Sequence, residues 1–250
     1  MSQRPVIQVK NLVARYGDEI ILDNISFDVF KGEIVGVIGT SGCGKSTLLR
    51  HLIGLDKPYS GKILLDDVNI ADCDESMLQS IFRDVGVLFQ GSALFGDMSL
   101  AENIALPMLE YTDISKDIVA KLVQMKLCKF DLTAYPDHMP SQLSGGMKKR
   151  AGLARAMALN PKFLFLDEPT SGLDPIKTTD INALIRDINH RSRTTIVIVT
   201  HDIRTIFDIT HRILMIDKVT KRIIAEGDPA ILLKQTQHPM VRRFLQNGNA

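Results

Sequence analysis

The sequence predicts an α/β protein whose main sheet is mostly parallel and is covered by helices on both faces. Segments 163–166 and 196–199 are continuously apolar, which is typical of strands buried on both faces. Segments with apolar residues at intervals of three or four, typical of amphipathic helices, alternate with such strands. This alternation is the pattern of a parallel sheet enclosed between layers of helices.

The composition is that of an ordinary globular protein. The chain has 250 residues, is 45% hydrophobic and 24% charged, and carries a net charge of +1, values that exclude disordered, collagen-like and disulfide-scaffold proteins. A balanced charge argues against a nucleic-acid partner. The sequence holds no run of about 18 apolar residues and no apolar N-terminal leader. Three widely spaced cysteines favour a reduced cytoplasmic setting.

The first third of the chain is predicted to form mostly strands. Strands are expected over 6–9, 25–30, 33–38, 61–65 and 85–89. A helix is predicted to start near Lys45, because apolar residues follow it at helical spacing.

The pattern from about 95 to 160 is mainly helical, so this block is predicted to be a helical lobe inserted between strands. Its helices are expected over 99–109, 114–127 and 146–159. Strands and helices then alternate again, with strands over 163–166, 195–199, 213–216 and 222–225 and helices over 175–191, 202–209, 228–235 and 239–246. The whole chain, 1–250, is interpreted as one domain.

A glycine-rich loop follows the third predicted strand. Residues 39–46 fit the pattern G-x-x-x-x-G-K-[ST] between a strand and a helix. Such a loop turns successive backbone N–H groups toward one phosphate chain, and the helix N-terminus adds partial positive charge. Lys45 is predicted beside the β- and γ-phosphates of a nucleotide and Ser46 as a ligand of Mg²⁺. The predicted nucleotide-binding residues of this segment are Gly39, Thr40, Ser41, Gly42, Cys43, Gly44, Lys45, Ser46 and Thr47.

Two carboxylates, Asp167 and Glu168, end the apolar strand 163–166. A buried strand ends in two acids only where a cation compensates them, and the natural cation is the Mg²⁺ of the nucleotide. Asp167 is predicted to hold that ion, directly or through water. Glu168, which alternation along a strand would turn the other way, is predicted to act as general base on the attacking water, or at least as the group that polarises it.

The segment Leu143-Ser144-Gly145-Gly146-Met147 opens a basic helix upstream of the acid pair. It resembles the signature sequence, usually LSGGQ, of ATP-binding-cassette (ABC) ATPases, and the other motifs of that family follow in order. The resemblance implies that Tyr16 stacks on adenine, Gln90 touches Mg²⁺ and faces a membrane subunit, and His201 contacts the γ-phosphate. It also implies that residues 171–174 form the D-loop and that Ser144, Gly145, Gly146 and Asp174 contact nucleotide.

The fold implied by this resemblance is a P-loop NTPase domain with a mainly parallel core sheet, an N-terminal antiparallel β subdomain and an inserted helical subdomain. In the family, the signature of one copy meets the phosphate loop of another across a head-to-tail dimer that encloses two ATP molecules. Only one set of motifs occurs here, so the expected partner is a second copy of this chain.

Three uses of such an ATPase are compared. A DNA-maintenance ATPase needs long heptad repeats between its motifs, and ribosome-acting cassette proteins carry two cassettes in one chain. Neither feature occurs in this sequence, so a transporter subunit is favoured. The segment after Gln90, with apolar Ala93, Leu94 and Phe95, is predicted to form a groove for a helix of the membrane subunit.

Residues 89–95, 143–151, 174–176 and 238–245 resemble the Mla-type ATPases, which power phospholipid traffic between the two membranes of Gram-negative bacteria. This resemblance implies a multispan permease, an MCE-domain lipid-binding protein and a small STAS-domain subunit as partners. It places the chain at the cytoplasmic face of the inner membrane, held there through the permease. The alternative is the ATPase of an importer for amino acids, metals or another small solute.

The C-terminal tail, about 238–250, places Val241, Phe244 and Leu245 at helical spacing. A helix this short is marginal by itself. We therefore expect the tail to dock on a partner chain.

Overall fold

The computed structural model describes residues 4–247, so the first three and the last three residues of the predicted domain lie outside it. Within that range a six-stranded sheet has the order β10-β9-β3-β8-β7-β6. Its strands pair in parallel except β10, which is antiparallel to β9 at one edge. The strands are β3 (Ile34–Ile38), β6 (Val85–Leu88), β7 (Phe163–Asp167), β8 (Thr195–Val199), β9 (Arg212–Ile216) and β10 (Ile223–Gly227).

A second, antiparallel sheet has the order β2-β1-β4-β5. Its strands are β1 (Pro5–Tyr16), β2 (Glu19–Phe30), β4 (Ser60–Leu65) and β5 (Val68–Asn69). The first two strands are much longer than the sequence predicted, because polar positions such as Asn11 and Asn24, both with left-handed φ, interrupt the alternation without ending the strands. The predicted N-terminal antiparallel layer is confirmed.

The helices lie around the core sheet, and those between β6 and β7 form the expected helical block. The helix over residues 75–82 was not predicted; Asp74 starts it by accepting a hydrogen bond from the backbone N–H of Met77 at 2.8 Å. The helices are α1 (Lys45–Leu52), α2 (Glu75–Phe82), α3 (Leu100–Tyr111), α4 (Lys116–Lys129), α5 (Gly145–Ala156), α6 (Pro175–Ser192), α7 (Ile203–Ile209), α8 (Pro229–Gln235) and α9 (Pro239–Asn247).

The order of the parallel strands brings the predicted motifs to one edge of the sheet. Strand β8 lies between β3 and β7, with Val199 opposite both Val37 and Asp167. The phosphate loop follows β3, the acid pair ends β7, and His201 follows β8, so all three emerge at the carboxyl ends of adjacent strands. Ligands of open parallel sheets bind at this edge.

The tail helix α9 packs on its own chain, which contradicts the expectation that it docks on a partner. Val241, Phe244 and Leu245 are at most 3% exposed and lie in one cluster with Ile38 of β3 and Ile206 of α7. The tail closes one face of the sheet because this apolar surface would otherwise meet water.

Replacing Phe244 by alanine is therefore expected to destabilise the isolated chain by about 3 kcal/mol, the cost of removing a buried aromatic ring. Chemical denaturation of the purified protein measures the effect. Gln246→Ala, at an exposed position of the same helix, is the control and should leave stability unchanged. Equal stability of the two variants would contradict packing of α9 on its own chain.

No helix among residues 4–247 has the length and apolar character needed to cross a membrane.

Candidate active site

The phosphate loop requires glycine at two positions for steric reasons. A Cβ on Gly39 (φ +148°) would lie 2.5 Å from the carbonyl oxygen of Ile216 and 2.6 Å from the sulfur of Cys43. A Cβ on Gly44 (φ +103°) would lie 2.7 Å from a methyl of Leu22. The loop is thus curled tightly under the start of α1, in the form that directs backbone N–H groups outward toward an anion.

Lys45 begins α1 and bends back over the loop. Its ammonium donates to the carbonyl oxygens of Gly39 at 2.8 Å and Thr40 at 3.2 Å. The positive charge is therefore held at the mouth of the loop, where a phosphate would lie. Cys43 is fully buried beneath it, and burial raises the pKa of its thiol, so a neutral, space-filling side chain fits this position.

Asp167 is the last residue of β7. Its Oδ1 is buried and has no hydrogen-bond partner among the described residues. Burial, and secondarily the negative charge of Glu168, raises the pKa of this carboxyl. An orphaned oxygen of this kind fits a divalent cation. No cluster of three or more acidic, histidine or cysteine side chains that could hold a metal occurs within residues 4–247.

The side chain of Glu168 does not take its direction from alternation along the strand, as the sequence predicted. The strand ends at Asp167, and Glu168 takes a left-handed backbone conformation, φ +48°, which is strained for a residue with a side chain. The turn, rather than alternation along a strand, directs its carboxylate toward the loop after β8. Strain of this kind persists only where surrounding contacts fix it.

Those contacts are made by the residues after β8. Glu168 is 8% exposed, and its Oε1 lies 2.6 Å from Nδ1 of His201. The hydroxyl of Thr200 donates to Oε2 at 3.4 Å. The sequence assigned His201 to the γ-phosphate alone and gave no role to Thr200; the structure shows that both hold the carboxylate of Glu168.

A cleft of about 550 Å³ gathers most of the predicted residues. The phosphate loop forms its floor, and Gln90, Glu168 and His201 form one wall. Tyr16, 54% exposed, stands at the rim, where its hydroxyl donates to Asp56 at 3.3 Å. The exposed ring of Tyr16 therefore lies at the opening of the cleft that contains the phosphate loop.

The signature residues and Asp174 do not line this cleft. Ser144 caps α5 by accepting from the backbone N–H of Met147 at 3.4 Å. Asp174 caps α6, and the hydrogen bond from Lys177 holds the pKa of its carboxyl below the usual range. Ser144 and Asp174 thus begin their helices outside the cleft that holds the phosphate loop.

The segment after Gln90 is fixed from beneath by Arg155, which donates to the carbonyl oxygens of Ala93 at 2.7 Å and Ser92 at 3.2 Å. Its guanidinium also stacks 5.7 Å from the ring of Phe95, which is 48% exposed. Beside this segment lies an apolar groove of about 310 Å³, whose lining residues include Leu55, Phe82, Phe89, Pro107, Tyr111 and Arg155.

The sequence profile described as "ABC transporter" matches residues 22–171. The chain belongs to the ABC transporter family. A solved ABC cassette supports the same conclusion: the dimeric structure of a post-hydrolysis state of the ATP-binding cassette MJ0796, bound to ADP and Pi, is 32% identical, with a TM-score of 0.81 over 89% of this chain and 98% of its own. This ABC protein accordingly binds ATP and hydrolyses it, as an ATP-binding subunit of a transporter.

Three relatives share 39% identity with this ABC protein and carry names for different cargoes. The "Intermembrane phospholipid transport system ATP-binding protein MlaF" of Haemophilus influenzae matches over 96% of this chain and 90% of its own length. The "Probable ribonucleotide transport ATP-binding protein mkl" of Mycobacterium leprae matches over 99% and 70%. The "Methionine import ATP-binding protein MetN 1" of Shouchella clausii matches over 90% and 64%. The percentage of identical residues therefore does not show which of these substrates the transporter moves.

Proposed function

We propose that this chain is the ATP-hydrolysing subunit of a membrane complex that moves phospholipid between the inner and outer membranes. The observation that carries the proposal is the match to MlaF, which compares nearly the whole of both chains at 39% identity. The segments 89–95 and 143–151, which resemble the Mla type, support it. An importer for amino acids, metals or another small solute is the alternative, supported by the equal identity to MetN 1.

In the proposed mechanism, the backbone of the phosphate loop and Lys45 bind the phosphate chain of ATP. Ser46, Gln90 and Asp167 would hold Mg²⁺, which supplies neutralisation of the charge that develops during phosphoryl transfer. Tyr16 would stack on the adenine. The unpartnered Oδ1 of Asp167 supports this assignment most directly.

Glu168 would orient the attacking water and accept its proton. His201 contacts Oε1 of Glu168 and the hydroxyl of Thr200 donates to Oε2, so the proton-accepting carboxylate is fixed in direction before the water arrives. His201, 47% exposed in its side chain, still faces the cleft and would contact the γ-phosphate. The contact between Glu168 and His201 thereby connects the proposed base to the residue that would contact the γ-phosphate.

A second copy of this chain would complete each site. The signature with Ser144, Gly145 and Gly146 and the D-loop with Asp174 lie away from the cleft of their own chain, so they are free to contact the nucleotide of a partner copy. ATP would close this head-to-tail dimer, and hydrolysis would loosen it, because the γ-phosphate bridges the two halves. The dimeric state of the solved cassette supports this arrangement.

The apolar groove between Leu55 and Tyr111 and the exposed ring of Phe95 would receive a helix of a multispan permease. Through that permease the chain would sit at the cytoplasmic face of the inner membrane, together with an MCE-domain lipid-binding protein and a STAS-domain subunit. Purification from native membranes, with the associated proteins and lipids identified, tests this. Phospholipid with an MCE-domain protein is the expected result; a small-solute importer would contradict it.

Phe95→Asp should abolish co-purification of the permease, because a charge would replace an exposed apolar contact. The variant should stay folded, since the ring is about half exposed. Co-purification is measured against Tyr135→Asp, which changes a partly exposed ring of the helical block. Undiminished capture of the permease by Phe95→Asp would show that this segment is not the contact.

A further inference from the structure

Lys149 is a buried cation on the signature helix α5 to which the sequence gave no role. It is 5% exposed. Its ammonium donates to the backbone carbonyl of Gln90 at 2.5 Å and to the backbone carbonyl of Glu168 at 2.8 Å. One side chain thus joins the loop after β6 to the turn that holds the acid pair.

The burial of this ammonium has an energetic cost that its surroundings compensate. Burial lowers the pKa of Lys149, while the negative charges of Glu168 and Asp167 oppose that shift. A buried ammonium is stable only with hydrogen bonds and nearby opposite charge, and both are present here. The two carbonyls come from residues in the cleft, so the compensating groups are parts of the site.

The helix that carries Lys149 packs closely against the loop after β6. A Cβ on Gly152, one turn further along α5, would lie 2.5 Å from a methyl of Leu88 and 3.2 Å from Cβ of Ser92. Arg155 holds the carbonyls of Ser92 and Ala93 from the same helix. The helix and the loop are therefore in close contact, and Lys149 and Arg155 donate to loop carbonyls on either side of Gly152.

We propose that Lys149 is a positioning residue that links residues 90–95 to the backbone of Glu168, so that displacement of that segment displaces the base. The left-handed turn at Glu168 has to be fixed by contacts, and the Lys149 ammonium fixes its carbonyl while His201 fixes its carboxylate. Residues 90–95, which are proposed to contact the permease, are in this way connected to Glu168, the proposed base. The inference rests on the assignment of Glu168 as base.

The test compares Lys149→Met, which keeps an unbranched apolar stem and removes the donors, with Lys149→Arg, which keeps a cation with several N–H groups. Steady-state hydrolysis by the full chain gives kcat and KM for ATP, and nucleotide binding is measured directly. Lys149→Met should bind ATP as the parent does and lose about 10- to 100-fold in kcat, the scale of a small misplacement of a catalytic group. Lys149→Arg should regain most of that turnover. Lys148→Met, at a neighbouring half-buried position, is the matched control and should keep parental kinetics.

Amide hydrogen exchange supplies a second readout. In the parent chain, ATP should slow exchange across residues 90–95; in Lys149→Met, ATP should bind without that change. If Lys149→Met does not fold, Lys149→Gln, which is neutral but keeps two N–H donors, takes its place with an intermediate expected kcat.

Parental kcat in Lys149→Met would overturn the inference while leaving the assignment of Glu168 intact. A loss of ATP binding, stability and turnover together, uncorrected by Lys149→Arg, would also overturn it, since the residue would then act only in folding. Parental turnover in Glu168→Gln, measured alongside, would overturn both the base assignment and the inference that rests on it.

Discussion

Replacing Glu168 by glutamine is expected to leave ATP binding intact and to lower the rate of hydrolysis about 10²- to 10⁴-fold, the usual contribution of a general base. Glutamine keeps the size of the side chain and an atom for the contact with His201, which is 2.6 Å in the parent chain. It cannot accept the proton of the attacking water. Phosphate release at saturating ATP, together with direct nucleotide binding, measures the two effects separately.

The same variant should accumulate as an ATP-bound dimer, because the γ-phosphate that bridges the proposed halves is no longer removed. Size-exclusion chromatography with and without ATP detects this change. Glu110→Gln, an exposed acid at the end of α3, is the matched control and should hydrolyse ATP and elute as the parent does. Hydrolysis by Glu168→Gln at the parental rate would show that another group is the base.

Replacing Lys45 by alanine is expected to lower the affinity for ATP by at least about 10²-fold. The ammonium is held over the loop by the carbonyls of Gly39 and Thr40, at the position of the β- and γ-phosphates. Among the described residues that line this cleft, Lys45 is the only lysine or arginine. The ammonium of Lys218 lies outside that lining, 3.6 Å from the position of a Cβ on Gly42. Titration calorimetry with ATP measures the affinity.

Lys57→Ala, which removes an exposed lysine outside the cleft, controls for the change in net charge and should bind ATP normally. The melting temperature of Lys45→Ala should stay close to that of the parent, since the hydrogen bonds of the Lys45 ammonium go to groups of the same loop. Retained ATP affinity in Lys45→Ala would contradict the placement of the phosphates in this loop.

The local elements of the core were predictable because each depends on a short stretch of sequence. Apolar runs such as 163–166 and 196–199 form strands wherever both sheet faces are covered. The capping box at Ser99 and Glu102 starts α3 from four residues alone. The helix over 75–82 was missed because its amphipathic pattern is short and Asp74 is its main start signal.

The placement of side chains in the site was only partly predictable. The residues of the phosphate loop are contiguous in the sequence, so their identity and spacing predict the conformation of the loop. The contact between Glu168 and His201 joins two loops 33 residues apart, and it depends on the neighbouring positions of β7 and β8 in the sheet. The left-handed turn at Glu168 has no sequence signal, since glycine or asparagine is the usual residue there.

The sequence by itself determined which chemistry this chain can perform. The phosphate loop, the acid pair and the signature are short motifs, and each depends on residues that are adjacent in the sequence. The tertiary structure alone decided which groups act together. It buried Lys149 between the carbonyls of Gln90 and Glu168, and it turned the apolar face of α9 onto β3 where the sequence suggested a partner. A side-chain pattern specifies a face of a helix, but only the packing of distant strands determines what that face meets.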